Sequence, residues 1–160
     1  MAVRAPRRAI VSFGVILGTG VGGGLAVDGR AWDGPNGVAG EWGTNLLPWP
    51  NENERPGPPC YCGKTGDRDV PVGPRARARP RARDRRARAS AVEIADRAAE
   101  GDARAEETLA RYEDRLARGL AHVIDILDPE AIVLAGLVAH RAPLRAGAGP
   151  AAPLRVLRTP

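Results

Sequence analysis

The 160-residue sequence predicts a domain of the α/β class, and three observations support this prediction. Residues 9–17 are apolar, rich in β-branched side chains and followed by glycine, as expected of a strand buried on both faces. Apolar residues recur at spacings of three and four between residues 109 and 127, which predicts an amphipathic helix. Residues 131–134 are again apolar and predict a short buried strand after that helix.

The first predicted strand is followed by a glycine-rich stretch and a hairpin. Residues 18–24 are mostly glycine and predict a tight turn, after which residues 25–27 resume a strand. Asp28-Gly29 is a dipeptide favoured in two-residue hairpin turns, and the chain returns through residues 30–32. Residues 33–66 are rich in Gly, Pro and Asn without a regular period, which predicts either an ordered loop region or disorder.

Capping residues delimit two predicted helices in the second half of the chain. Ser90 can cap a short first helix, which Gly101 can end, and Asp102 can cap a longer second one. Asp128-Pro129 should stop the second helix. The apolar stripe of that helix comprises Leu109, Tyr112, Leu116, Leu120, Val123 and Leu127. Its opposite charges four residues apart are Glu107 with Arg111 and Asp114 with Arg118.

The positive charge of the chain is concentrated in one segment. The sequence has 24 Lys and Arg against 19 Asp and Glu, and eight of the arginines lie in residues 75–88 beside a single acid, Asp84. A nucleic-acid-binding surface normally spreads basic residues over a fold and adds aromatic rings, which this segment lacks. We expect a disordered tract and no specific nucleic acid partner. Non-specific, salt-sensitive nucleic-acid binding through the tract is the alternative function.

Composition also indicates the compartment. No stretch approaches the roughly 20 apolar residues that span a bilayer, and residues 1–8 lead into an apolar run without a small-residue cleavage pattern. The two cysteines, Cys60 and Cys62, lie too close together for a disulfide framework. We therefore expect a soluble cytoplasmic protein with no membrane partner.

Gly18, Gly20 and Gly23 match the spacing of a dinucleotide-binding fingerprint, G-x-G-x-x-G. That fingerprint requires a helix after the glycines, whose N-terminus holds the pyrophosphate, whereas a strand and a hairpin follow here. We therefore reject a Rossmann fold. A glycine turn between two strands can still bind phosphate through backbone N–H groups, with the Thr19 hydroxyl as a further donor. A purely structural hairpin is the alternative, and the residues alone leave both open.

Three other residue groups can be interpreted either as functional or as purely structural. Cys60-Tyr61-Cys62 supplies half of a tetrahedral zinc site, but two free thiols in a loop are the simpler interpretation because such a site needs about four ligands. His122 lies beside Val123 on the predicted helix and suits the edge of the core better than a metal site. Glu41 is either a loop carboxylate or an acceptor for a sugar hydroxyl.

Taken together, these residues resemble one known family. The motifs are GVILGTGVGGG at residues 14–24, Asp28-Gly29-Arg30, GVAGEWG at 37–43, and PGPPCYCGK at 56–64. In this order they resemble the ROK (repressor, open reading frame, kinase) family of sugar kinases. The resemblance returns over residues 90–136. Leu47-Pro48-Trp49 and Cys60-Tyr61-Cys62 are most similar to the fructokinase branch.

The resemblance implies a fold, an activity and a set of site residues. The fold is an actin-like ATPase (ribonuclease H-like) fold, of which this chain is mainly the C-terminal lobe. The implied activity is ATP-dependent phosphorylation of a hexose, and the expected hexose is fructose. The implied cofactor is Mg²⁺, and the implied assembly is a homodimer. Glu41 and Asp69 would contact the sugar, and Cys60 and Cys62 would bind zinc. The ATP contacts would be Gly18, Thr19, Gly20, Gly22, Gly23 and, beside the adenosine, Gly136.

The chain departs from the family pattern at several of these positions. Thr44 replaces a histidine that contacts sugar and zinc, and Asp67 replaces a zinc cysteine, so we expect an incomplete zinc site. Asp69 replaces a sugar-binding glutamate. The family's catalytic aspartate, which accepts the proton of the sugar hydroxyl, belongs to a motif upstream of the glycine turn that residues 1–12 do not contain. We therefore assign no catalytic residue and expect the chain by itself to be inactive.

A frame shift would account for the Arg-rich tract. Residues 67–74 can be encoded by DNA that, read one base over, gives Ile-Glu-Thr-Phe-Leu-Ser-Gly, the continuation the family would have; residues after Leu137 can be recoded similarly. We infer a truncated, frame-shifted fragment in four parts. These are a glycine-turn unit with the sugar and zinc loop (1–66), a disordered Arg/Pro tract (67–89), a helical segment with a strand (90–136), and a disordered tail (137–160).

Overall fold

A computed structural model describes residues 10–17, 20–57, 59, 63, 65 and 91–135, together with the backbone of a strand at 155–158. The elements in chain order are β1 (Val11–Leu17), β2 (Val21–Val27), β3 (Arg30–Ala31), two 3-10 turns (Trp42–Thr44 and Glu52–Glu54), α1 (Ala91–Ala99), α2 (Ala103–Leu127), β4 (Ala131–Ala135) and β5 (Arg155–Arg158). The strands form one sheet in the order β3-β2-β1-β4-β5.

The sheet combines an antiparallel and a parallel part. β1 pairs with β2, and β2 with β3, in antiparallel fashion, whereas β4 lies parallel to β1 and β5 parallel to β4. A parallel pair needs a long crossover connection, and the path from β1 to β4 includes both helices. The predicted α/β class is therefore confirmed.

The core lies between one face of the sheet and helix α2. Its buried side chains are Phe13, Val15, Leu17, Val21, Trp42, Leu47, Tyr112, Leu116, Val123, Ile132 and Leu134. The odd-numbered residues of β1 face this core, while Ile16 on the other face is 59% exposed. In the part of the chain that the structure describes, β1 is thus buried on one face, which corrects the expectation of burial on both.

Both ends of α2 follow the predicted capping chemistry. The Asp102 carboxylate accepts hydrogen bonds from the backbone N–H groups of Arg104 and Ala105, at 2.9 and 3.2 Å. Asp128 ends the helix in a left-handed conformation and donates its N–H to the Ile124 carbonyl. Gly101, with φ of 87°, separates the two helices. The predicted ion pairs Glu107 with Arg111 and Asp114 with Arg118 are both present.

Two predicted segments differ from the structure. The glycine stretch is not a turn over its whole length, because β2 already begins at Val21 and pairs through all three of its glycines with β1. The tail, expected to lack packed structure, contains β5, whose backbone pairs with β4 from Ala131 to Leu134. The physical reason is that an outer edge of β4 offers unpaired N–H and C=O groups that a passing extended segment can satisfy.

Several other expectations lie outside the described residues. These are the Arg-rich tract at 75–88, the Ser90 cap, and the tail apart from the backbone of β5. Within the described residues, no helix has the length and apolar character needed to cross a membrane.

Candidate functional site

β1 ends, and β2 begins, at the edge of the sheet where the parallel strands end. Because β1, β4 and β5 run in the same direction, their carboxyl ends meet at this edge, with Ile16 level with Ala135. Ligands of open α/β sheets bind outside the carboxyl ends of the strands. Gly20, the last residue of the turn, is half-buried there, whereas Gly18, Thr19 and Gly136 lie outside the described residues.

Gly22 and Gly23, predicted to lie in the phosphate-binding turn, are instead paired residues of β2. They lie opposite Ile16 and Val15 of β1. A Cβ atom on Gly23 would come within 2.7 Å of the Phe13 ring, 2.7 Å of the Trp42 ring and 2.9 Å of the Gly40 carbonyl oxygen. Gly23 is therefore glycine because a ring and a second backbone occupy the space of its side chain.

The loop that carries Glu41 is attached to β2 beside these glycines. Trp42 is buried and donates its indole N–H to the Gly22 carbonyl at 2.9 Å. Its ring also meets Phe13 edge to face, with centroids 5.8 Å apart and planes at 87°. Gly40, at φ of 91°, approaches the backbone of Gly23 and Gly24 so closely that a Cβ would lie 2.8–2.9 Å from their atoms.

Glu41 itself is exposed, at the start of the first 3-10 turn. The Thr44 hydroxyl donates a hydrogen bond to the Glu41 carbonyl at 2.9 Å and so closes this turn. A hydroxyl engaged in this way, with no nitrogen lone pair to offer, does not fit the position of a zinc-binding imidazole. Within the described residues, no three His, Cys, Asp or Glu side chains converge in a way that could hold a metal ion.

A second attachment joins the end of the same loop to α2. Glu54, with only 7% of its side chain exposed, accepts hydrogen bonds from Arg115 Nε at 2.7 Å and from Arg118 Nη2 at 2.9 Å. Arg118 Nη1 also donates to the carbonyls of Pro48 and Trp49, each at 3.0 Å. We call Glu54, Arg115 and Arg118 the ionic clamp.

The electrostatics of the clamp favour the charged state of Glu54. Burial by itself opposes ionisation of this carboxyl, but the hydrogen bonds from Arg118, Arg115 and the Asn51 backbone N–H outweigh it. The pKa of Glu54 is therefore lowered from 4.5 to about 2. The same carboxylate raises the pKa of Arg118 against the opposing effect of burial, with Asp114 adding to it.

The clamp also fixes Trp49, which is 64% exposed and has a left-handed φ of 46°. A bulky residue adopts this conformation at an energetic cost, so it persists only where the surroundings hold it. Its carbonyl is held by Arg118, and its ring meets the His122 ring edge to face at 5.6 Å. His122 is half-buried, in accord with the edge-of-core position predicted for it.

The sequence singled out the glycine stretch and Glu41 as candidates but not the two attachments of the loop. The signals for them were weak: a Gly-x-Trp pattern at residues 40–42, and two arginines three apart on the side of α2 that also carries Asp114. Of the remaining predicted site residues, Asp69, Cys60 and Cys62 lie outside the described residues. The structure thus brings together β2 and the Glu41 loop.

Comparison with known proteins decides the family. The sequence profile of the ROK family matches residues 4–147, which is most of the chain and includes both the glycine turn and the Glu41 loop. The chain belongs to the ROK family.

Several curated relatives of this chain are named N-acetyl-D-glucosamine kinase. The N-acetyl-D-glucosamine kinase of Pectobacterium carotovorum subsp. carotovorum (strain PC1) is 35% identical over 130 residues, covering 79% of this chain and 43% of the relative. The enzyme of the same name from Aliivibrio fischeri (strain ATCC 700601 / ES114) is 38% identical over 128 residues, which cover 78% of this chain and 42% of the relative. The chain therefore spans less than half the length of the curated relatives it matches.

Solved ROK structures share the fold. A ROK hexokinase from Thermus thermophilus superposes with a TM-score of 0.70 at 29% identity, covering 87% of this chain and 45% of that one. A ROK glucokinase from Streptomyces griseus, solved with glucose and AMPPNP, superposes with a TM-score of 0.78 at 23% identity. The superposition covers 96% of this chain and 57% of the glucokinase. At that identity the second likeness concerns the fold alone. The predicted actin-like ATPase fold is thereby confirmed.

Proposed function

We propose that this chain serves the ATP-dependent phosphorylation of a hexose, as one lobe of a ROK sugar kinase. The observation that carries the proposal is the ROK family match, because it includes the turn and the loop together. In this reaction a sugar hydroxyl oxygen forms a bond to the γ-phosphorus of ATP, the bond to the β-phosphate oxygen breaks, and the hydroxyl proton passes to a base. No described residue is assigned as that base.

The described residues would bind and orient the two substrates. The glycine turn ending at Gly20 would receive the phosphates, since backbone N–H groups without side chains can approach anionic oxygens closely. The exposed Glu41 carboxylate would accept a hydrogen bond from a sugar hydroxyl. Mg²⁺, when bound with ATP, would neutralise developing charge on the phosphates.

The identity of the hexose is the finer part of the proposal. Fructose is the prediction from the Leu47-Pro48-Trp49 and Cys60-Tyr61-Cys62 patterns, whereas relatives at 35–38% identity are named for N-acetyl-D-glucosamine. The relatives' names favour N-acetyl-D-glucosamine or another aldohexose as the first substrate to test. A homodimer, a cytoplasmic location, an incomplete zinc site and inactivity of the chain by itself stay predictions.

Isothermal titration of the purified chain tests this proposal. AMPPNP with Mg²⁺ and, separately, N-acetyl-D-glucosamine, glucose and fructose should be titrated, and we expect saturable binding of the nucleotide and of one hexose. Glu41→Gln should weaken hexose binding about tenfold, as loss of a hydrogen bond to a charged group does. Glu52→Gln, an exposed carboxylate in the other 3-10 turn, is the matched control. A folded chain that does not bind the nucleotide, or that binds none of the three hexoses, contradicts the proposal.

A further inference from the structure

The contact between Trp42 and β2 combines burial, close packing and a directed hydrogen bond. The indole is 4% exposed, lies in the space that a side chain on Gly23 would fill, and packs edge to face on Phe13. Burial of the ring by itself would be satisfied by phenylalanine or leucine. The indole N–H adds a directed hydrogen bond of 2.9 Å to the Gly22 carbonyl, which sets the position of the loop along the strand.

The backbones of loop and strand meet directly at this contact. A Cβ on Gly40 would lie 2.8 Å from the Gly23 carbonyl oxygen and 2.9 Å from Gly24 Cα. No flexible side chain separates the two segments here, so the packing has little room for sliding. A displacement of the loop therefore has to move β2 as well, or break the Trp42 hydrogen bond.

The two segments joined in this way carry the two substrate contacts of the proposed function. Glu41 immediately precedes Trp42, and Gly22 is two residues beyond Gly20, where the glycine turn ends. We propose that Trp42 is a positioning residue that holds the sugar-contacting Glu41 loop in register with the phosphate-binding turn. This inference rests on the proposed function for its consequence in binding, while the mechanical link stands on the contacts themselves.

A core role and a positioning role give different results when only the N–H group is removed. Trp42→Phe keeps an aromatic ring but lacks the donor. Incorporation of 3-benzothienylalanine at position 42 replaces the N–H by sulfur at nearly the same volume. Trp32→Phe is the matched control, because Trp32 is 51% exposed and lies outside the contact.

Two measurements on the full 160-residue chain test the proposal. Hexose titration should show affinity reduced about tenfold in Trp42→Phe and in the benzothienyl variant, with far-UV circular dichroism unchanged and Trp32→Phe at the wild-type value. Hydrogen exchange of the backbone amides should rise in residues 20–24 and 39–44 together in both position-42 variants, and nowhere in the control.

Each outcome decides the question. Unchanged hexose affinity in a folded position-42 variant overturns the proposal, and so does faster exchange confined to residues 42–43. If Trp42→Phe fails to fold, the benzothienyl variant gives the answer at conserved volume. If the unmodified chain binds no hexose, the proposed function fails, and exchange decides the link: a joint rise in both segments upholds it, while a rise in one segment overturns it.

Discussion

The segment of residues 32–57, which follows β3, is held at two places by different forces. Around residues 40–44 it meets β2 through glycine backbone and aromatic rings, with no ion pair in the described contact. Around residues 48–54 it is held to α2 by the ionic clamp of Glu54, Arg115 and Arg118. One attachment depends on volume and the other on charge.

The difference matters because the two forces respond to different changes. Close packing fails when a single methyl group is added, but it is insensitive to salt and pH. A clamp built from one carboxylate and two guanidinium groups tolerates small changes of shape, but it weakens when the carboxylate is neutralised. The following changes address each attachment separately.

The largest expected effect is that of Gly23→Ala. The added methyl group would collide with Phe13, Trp42 and the Gly40 carbonyl, all within 3.0 Å, so we expect a loss of about 3 kcal/mol in the free energy of unfolding. Gly24→Ala is the matched control, because a Cβ there meets nothing within 4 Å, and it should stay within about 1 kcal/mol of wild type. Urea denaturation measures both. Equal stability of the two variants would contradict steric packing as the force at this attachment.

The next largest effect is expected for Glu54→Gln at the ionic clamp. Glutamine keeps the shape but removes the charge that faces Arg115 and Arg118, so we expect a loss of about 2 kcal/mol by urea denaturation. Glu52→Gln in the same 3-10 turn is exposed and should change stability little. A loss no greater than that of Glu52→Gln would show that the clamp contributes no net stability.

The clamp should also make stability depend on pH within a defined window. The pKa of Glu54 is lowered from 4.5 to about 2 in the folded chain, so its contribution is complete above pH 4.5 and is lost as the pH falls towards 2. The stability difference between wild type and Glu54→Gln should therefore shrink over this window. Urea midpoints measured at several pH values test this. A difference that stays constant down to pH 2 would rule out the ionised clamp.

The smallest effect is expected for the N-cap of helix α2, which carries Arg115 and Arg118 of the ionic clamp. Asp102→Ala removes the N-cap hydrogen bonds to Arg104 and Ala105 and should lower the Tm by about 3 °C. Hydrogen bonds from Arg97 and from these N–H groups lower the pKa of Asp102, so acidification should reduce the difference between variant and wild type. Asp125→Ala, exposed within the helix, is the control and should not lower the Tm. An equal fall in the Tm of Asp102→Ala and Asp125→Ala would contradict a stabilising role of the Asp102 N-cap.

Prediction from sequence worked where the determinants are local. Asp102, Asp128 and the three-and-four spacing predicted α2 to within its observed bounds, because capping and amphipathic burial depend on residues within one or two turns. The Asp28-Gly29 hairpin was predicted for the same reason, since both residues adopt positive φ, 51° and 73°, as that turn requires. The family was also accessible from the sequence, because its motifs are short and contiguous.

The extent of the glycine turn could not be predicted in the same way. Glycine permits both a turn and an extended strand, so the sequence pattern at residues 18–24 is compatible with either. Pairing with β1 decides in favour of a strand from Val21 onward, and packing against Trp42 and Gly40 explains Gly23. Similarly, β5 forms by pairing with an edge of β4.

The sequence by itself determined the helices, the hairpin, the apolar stripe of α2 and the family of this protein, because each depends on neighbours along the chain. Only the tertiary structure decided that Trp42 contacts Gly22 across 20 residues and that Glu54 meets Arg118 across 64. Such contacts form only after the loop has been brought against the sheet and α2. Their energy then depends on burial and close approach, which a list of residue types does not contain.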